Sequence, residues 1–372
     1  MAKSPRRPPA KSLSYSGYLA LDRLLDCQKP ESARRGRPAH DETLFIIVHQ
    51  TYELWFKQIL HELDSILALF GKTAVDEEDM GLAAARLARI TEIQKILIDQ
   101  LRVLETMTPL DFLEFRDLLN PSSGFQSVQF RLLENKLGLR ADSRLEYSHC
   151  PYHVYVSAPE AARMVSAERA PSLFSLVERW LERTPFLDVG AYRFWDSYRA
   201  AVARMLDADA GVIRGNAVLS PQRRKAQLAK LAEARRHFDS LFDKRRHESL
   251  VKAGHRRLSQ RALLAALFIH LYRDKPILQL PFKLLTLLVD VDELLTSWRY
   301  RHALMVRRMI GMKIGTGGSS GFGYLSETVE RHKIFSDFFD LSTFLIPRSS
   351  LPKLPPDVER SLGFRYAPVG KP

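Results

Sequence analysis

The chain has 372 residues, 45% of them hydrophobic and 27% charged, and a formal charge of +13 from 56 Lys and Arg against 43 Asp and Glu. That composition suits a globular chain with a large core and excludes one disordered throughout. Two cysteines, Cys27 and Cys150, cannot build a disulfide framework, and no apolar stretch has the length of a secretory signal or a bilayer span, so a cytoplasmic protein that meets no membrane is expected.

Residues 1–12 carry Lys3, Arg6, Arg7 and Lys11 with no acid and read as a disordered basic tail. An amphipathic stretch from Tyr15 to Gln28 and a polar connector, ESARRGRPAHDE, follow. Residues 43–70 contain neither Gly nor Pro, and Leu44, Val48, Trp55, Ile59, Leu63 and Ile66 recur at helical steps, which predicts an amphipathic helix with Asp41 as its N-cap. The same pattern predicts helices over 76–107, 172–183, 192–206, 221–242, 258–272, 282–298 and 300–312. HVYVS at 153–157 is the best strand candidate. Ser123-Gly124, Gly190 and Gly315 to Gly323 are expected in loops, and the Pro-rich part from Pro347 is expected to lie extended over the surface. The fold class is therefore all-α, one large helical domain over 13–346 between a tail and a C-terminal extension.

Residues 221–262 hold thirteen Lys or Arg against Glu233, Asp239, Asp243 and Glu248. With the tail they account for the whole surplus, and the rest of the chain balances at 39 basic against 39 acidic residues. Phe238 and Phe242 are the only aromatics in that segment, so a solvated helical hairpin explains it better than a nucleic-acid surface.

Several motif matches fail on context. GGSSG at 317–321 fits a nucleophile elbow, and GTGGSS at 315–320 approaches a dinucleotide fingerprint, but a helix and not a strand precedes both. His149, Cys150 and His153 cluster without a fourth zinc partner. Two histidines on apolar helices are more informative. His49 projects among Phe45, Tyr52, Glu53 and Phe56, and His302 shares a face with Met305, Val306 and Met309. An imidazole flanked by soft apolar side chains suits the proximal side of a haem, and it equally suits a core histidine with its N–H satisfied. Arg116, four residues after Phe112 and three before Leu119 on a presumed helix face, could hold a planar carboxylate or pair with Glu114 or Asp117. Six glycines in the thirteen residues from Gly311 make a backbone able to close over a ligand.

YSGYLALDRLL (15–25), HDETLFIIVHQTYELWFKQILHELDS (40–65), LETMTPLDFLEFRDLLNPSSGFQSVQFRLLENKLG (104–138), FDKRRHE (242–248) and WRYRHALMVRRMIGMKIGTGGSSGFGYL (298–325) together resemble the tryptophan 2,3-dioxygenase family, from about Tyr15 to Pro347. The resemblance implies a haem enzyme that inserts both atoms of O2 across the indole C2–C3 bond of L-tryptophan, giving N-formyl-L-kynurenine, the first step of the kynurenine route. It implies a b-type haem with His302 as axial ligand, His49 as the distal histidine orienting the indole N–H, and Arg116 and Thr316 on the amino-acid end of the substrate. Phe45, Phe112, Leu119, Ser123 and Gly124 would line the indole pocket. Tyr15 and Tyr18, in an exchanged segment 13–28, would reach a neighbouring subunit of a homotetramer that binds no nucleic acid. Phe322 departs from the Tyr common in relatives. The alternatives are a dioxygenase for a substituted tryptophan and a non-catalytic haem-sensing protein.

Overall fold

The computed structural model describes residues 13–145, 152–184, 188–189, 192–313 and 321–364. Its main helices are α1 (Glu42–Phe70), α2 (Glu77–Leu104), α3 (Val128–Leu137), α4 (Ala158–Arg169), α5 (Leu173–Glu182), α6 (Phe194–Gly215), α7 (Pro221–Asp239), α8 (Lys244–Lys252), α9 (Gln260–Leu271), α10 (Pro276–Ile310) and α11 (Gly321–Arg331). The only strand pairing among the described residues joins Asp188–Val189 to Tyr192–Arg193, antiparallel. HVYVS instead forms a 3-10 turn over Tyr152–Tyr155, and Ser157 then starts α4. Five residues offer too little alternation to outcompete a capping residue followed by a helix-forming run.

The apolar stripe of α1 is buried as its spacing requires: Val48, Tyr52, Phe56, Ile59, Leu63, Ile66 and Phe70 all face inward. That face packs on α2, and α10 packs along α2 in turn, so three long helices form the frame. Asp76 caps α2 by accepting the Asp79 N–H at 2.8 Å. Asp41 does not cap α1. Its backbone is already near-helical, which turns the carboxylate away from the first amides. The buried Glu42 takes over the local hydrogen bonding, accepting the Glu31 and Ser32 N–H groups at 2.8 and 2.9 Å and tying the short Glu31–Arg34 helix to the start of α1.

The two helices expected over 282–298 and 300–312 are one, α10, of 35 residues. Pro281 lies only in its second turn, where one interior hydrogen bond is lost, and the helix continues through it. The expected break at WRYR reflects charge in the pattern, yet Arg299 is 3% exposed because it has a buried partner, Glu134. Gly311 ends α10 at φ +61°, a conformation that favours glycine.

The C-terminal part does not simply lie extended. Pro356–Ser361 is a helix, Val358 and Leu362 are buried, and Tyr272 donates its hydroxyl to the Pro352 carbonyl at 2.6 Å. The basic α7 rests on α6 and buries Phe238 while most of its side chains face solvent. None of the described helices is long and apolar enough to cross a membrane.

Candidate active site

A cavity of ≈ 330 Å³ lies between α1, α2, α3, α10 and α11. One wall is the regular face of α10, where Trp298, His302, Met305, Val306 and Met309 succeed one another at helical spacing. Leu101, Leu104 and Met107 extend this apolar surface from the end of α2. Trp298 stacks on the His302 ring with centroids 5.1 Å apart and planes 13° from parallel. Burial pushes the His302 imidazole down to about 4, with the proximity of His49 a second cause, so the ring is neutral at pH 7. No hydrogen bond to it forms among the described residues, which leaves a nitrogen lone pair available.

The opposite wall comes from α1 and from a series of short turns. His49 borders the cavity one turn after Phe45, and its Nδ1 lies 2.7 Å from the Phe45 carbonyl. A carbonyl only accepts, so Nδ1 carries the proton and Nε2 is the free acceptor. Burial among apolar side chains lowers the His49 pKa, although the Phe45 carbonyl and Glu53 work the other way. Phe45 lies 4.0 Å from the His49 ring and stacks at 5.7 Å and 28° on Phe112, while Phe115 meets both phenylalanines edge-on. These rings bound a slot suited to a flat aromatic group.

Arg116 reaches the cavity by a different route from the one expected. The helix carrying Phe112 is short, Pro109–Leu113, started by a Thr108–Asp111 capping box, and Arg116 begins a separate 3-10 turn, Arg116–Leu119. Both residues line the cavity, but through a bend in the chain and not along one helix face. The guanidinium is 14% exposed, and the Asp117 carboxylate stands 3.7 Å away, itself 89% exposed.

Ser123 and Gly124 also line the cavity, at the 3-10 turn Gly124–Gln126, which is locked by reciprocal bonds between Ser123 and Gln126. Leu119 is absent from the lining and packs against the core. Tyr15 and Tyr18 sit on the short Tyr15–Leu19 helix, 77% and 71% exposed, and do not reach this cavity. Thr316, His149 and Cys150 lie outside the described residues. Phe322 lies under the Arg307 guanidinium at 4.8 Å.

Sequence reasoning missed a buried charge cluster at one end of the cavity. Glu134 accepts from Arg131 at 3.0 Å and Arg144 at 2.7 Å on one oxygen and from Arg299 at 2.9 Å on the other, with His332 at 3.4 Å. Burial alone would raise the Glu134 pKa, but Arg144 and Arg131 outweigh it and hold the carboxyl well below its usual range. Burial also lowers His332, leaving it neutral. Three guanidiniums thus face one carboxylate, and the Nε–H groups of Arg131 and Arg144 are buried without a partner among the described residues. Arg131, Glu134 and Arg299 all border the cavity, whose end is therefore electropositive and able to receive anionic groups. Arg131 and Glu134 stand three residues apart in α3, but Arg144, Arg299 and His332 come from other parts of the chain, so no local pattern joins them.

No group of three or more His, Cys, Asp or Glu able to hold a metal ion exists among the described residues. Of the three imidazoles that line the cavity, His49 bonds the Phe45 carbonyl and His332 faces Glu134, so His302 stands as one lone protein donor, which fits a metal that brings its other donors with it better than a bare ion.

The family model described as tryptophan 2,3-dioxygenase matches residues 2–345. The tryptophan 2,3-dioxygenase of Bdellovibrio bacteriovorus is 53% identical over 352 residues, covering 95% of this chain and 98% of the relative. That of Dictyostelium discoideum is 48% identical over 358 residues, covering 96% and 90%, and that of Xenopus tropicalis 47% identical over 352 residues, covering 94% and 86%.

Proposed function

The chain belongs to the tryptophan 2,3-dioxygenase family, and on that premise we propose that the protein opens the indole ring of L-tryptophan, adding both atoms of O2 across C2–C3 to give N-formyl-L-kynurenine, the first step of tryptophan catabolism by the kynurenine route. The observation that carries this reading is a pair of neutral histidines, His302 and His49, on opposite walls of one apolar cavity.

His302 would hold a b-type haem by donating to its iron. It offers an uncharged imidazole whose lone pair no protein group takes up, and Met305, Val306 and Met309 supply the soft surface a flat macrocycle needs. The electropositive end of the cavity fits the carboxylate-bearing edge of such a group, because Arg131 keeps an unpartnered Nε–H beside the cavity. When bound, the haem supplies the ferrous iron that makes O2 reactive toward the indole double bond.

Everything else falls to positioning. The indole N–H donates to His49 Nε2, the one ring nitrogen left as an acceptor by the Phe45 carbonyl. That bond needs a neutral ring, and the apolar side chains around the cavity favour one by lowering the His49 pKa, although the ring itself is open to the cavity. Phe45 and Phe112 bound the indole ring. Arg116 takes the substrate carboxylate bidentate with Thr316 at the same amino-acid end, and Ser123 and Gly124 line the indole pocket. Tryptamine, which lacks the carboxylate, leaves Arg116 without its anion and should lose several kcal/mol of binding.

We further infer a homotetramer in which residues 13–28 pack on a neighbouring subunit, bringing Tyr15 and Tyr18 to its active site. The exposure of Leu13, Tyr15, Tyr18 and Leu25 within one protomer supports this. The basic segment 221–262 contributes no residue to the cavity lining. The deciding experiment is an absorption spectrum of the reduced protein with and without L-tryptophan, followed by aeration and product analysis. Absence of a haem band, or of N-formylkynurenine, removes the proposal.

A further inference from the structure

On the reading of this cavity as the tryptophan site, we propose that Glu53 is a positioning residue that holds the substrate wall in register with His49. Glu53 lies four residues after His49 on the same face of α1 and borders the cavity. Its two carboxylate oxygens serve two donors from the other side of the site: Ser127 Oγ donates to Oε1 at 2.5 Å, and Gln129 Nε2 donates to Oε2 at 2.8 Å. The same Gln129 amide also donates to the Glu53 carbonyl at 2.7 Å.

These three bonds end where the wall of the pocket is decided. Ser127 is the N-cap of α3, its Oγ accepting the Phe130 N–H at 3.3 Å while its own proton goes to Glu53. It also follows directly on the locked turn that presents Ser123, Gly124 and Phe125 to the cavity. Phe130, in the first turn of α3, stands 5.1 Å from Trp298 and 5.4 Å from Phe56 and so packs toward the His302 wall. A shift at Ser127 therefore moves the turn-built wall of the pocket relative to His49. The side-chain chemistry is specific, because two converging donors need two acceptor oxygens. An amide in place of the carboxylate would offer one acceptor and aim N–H groups at the other donor.

The test uses haem-loaded protein and two readouts: L-tryptophan affinity from the perturbation of haem absorption without O2, and steady-state KM and kcat. Wild-type protein that forms no N-formylkynurenine defeats the reading of the site itself, whereas active wild-type protein leaves Glu53 to be judged by its variants. For Glu53→Gln we expect tryptophan affinity to weaken and KM to rise by about ten- to a hundredfold, with kcat falling less than about threefold. Ser127→Ala and Gln129→Ala each remove one donor and should raise KM by about three- to tenfold, and adding Ser127→Ala to Glu53→Gln should raise it little further. Should Glu53→Gln fail to fold with haem, the two donor variants decide alone. Variants that hold haem, lose thermal stability and keep tryptophan affinity and KM within about twofold of wild type would overturn the proposal, since a purely structural clamp gives that result.

Discussion

The two walls of the cavity are built by opposite means. The α10 wall is one uninterrupted helix of 35 residues whose side chains repeat at helical spacing, so the position of His302 follows from those of Trp298, Met305 and Met309. The facing wall between Thr108 and Ser127 is a chain of short turns; side-chain caps close three of them, Thr108 with Asp111, Ser123 with Gln126 and Ser127 with Phe130, and the Arg116–Leu119 turn lies between without one. A helix holds one ligand atom rigidly at the cost of variety in direction. A series of turns brings groups of different chemistry, an arginine, an aromatic ring and backbone amides, to converge on one small molecule. The first arrangement suits a fixed prosthetic group and the second suits the recognition of an amino acid.

Breaking the helical wall should have the larger consequences. His302→Ala should abolish the haem absorption band with the fold retained, and a variant purified with full haem would identify another axial ligand. Glu134→Ala comes next, because it leaves Arg131, Arg144 and Arg299 buried beside one another; a loss of about 3–5 kcal/mol is expected, read as a fall in the thermal midpoint. An unchanged midpoint would show that the guanidiniums find solvent, and the electropositive end of the cavity would then need another origin. Breaking the turn-built wall should spare the haem. Arg116→Ala should raise KM for tryptophan by about a hundredfold or more with the haem spectrum unaltered, and it should nearly erase the preference for tryptophan over tryptamine. Retained discrimination would remove Arg116 from the carboxylate site.

The same contrast governs what the sequence discloses. Periodicity reveals α1 and the two halves of α10, since an apolar stripe on a helix survives in one dimension. It fails at WRYR because Arg299 is buried by a partner 165 positions away in the chain, Glu134, which no local pattern can disclose. It fails at Arg116 because the chain bends between the short Pro109–Leu113 helix and the Arg116–Leu119 turn, whereas spacing alone reads as one continuous helix face. Glu53 shows the limit most plainly. Its partners are 74 and 76 residues distant, so from spacing it is one more polar residue beside His49.

The smallest effect expected concerns His49, which belongs to the regular frame and is proposed to meet the substrate. His49→Ala removes a single neutral hydrogen bond and should lower kcat/KM by about tenfold or less, with haem content unchanged. Its acid dependence carries a definite sign. The folded-state pKa lies below the ordinary value of 6.5, so Nε2 remains an acceptor through neutrality, and the His49 contribution to kcat/KM should fall only as the pH drops below that value. Stability follows the same direction. The unfolded histidine takes up a proton near pH 6.5 while the folded one does not, so part of the folding free energy is lost as the pH falls from there toward the folded pKa. In a pH–rate profile of wild type beside His49→Ala, the acid limb due to this residue should be present in the first and missing in the second. Identical limbs in both would mean that the indole N–H finds its acceptor elsewhere, and the role of the distal wall would then rest on Phe45 and Phe112 alone.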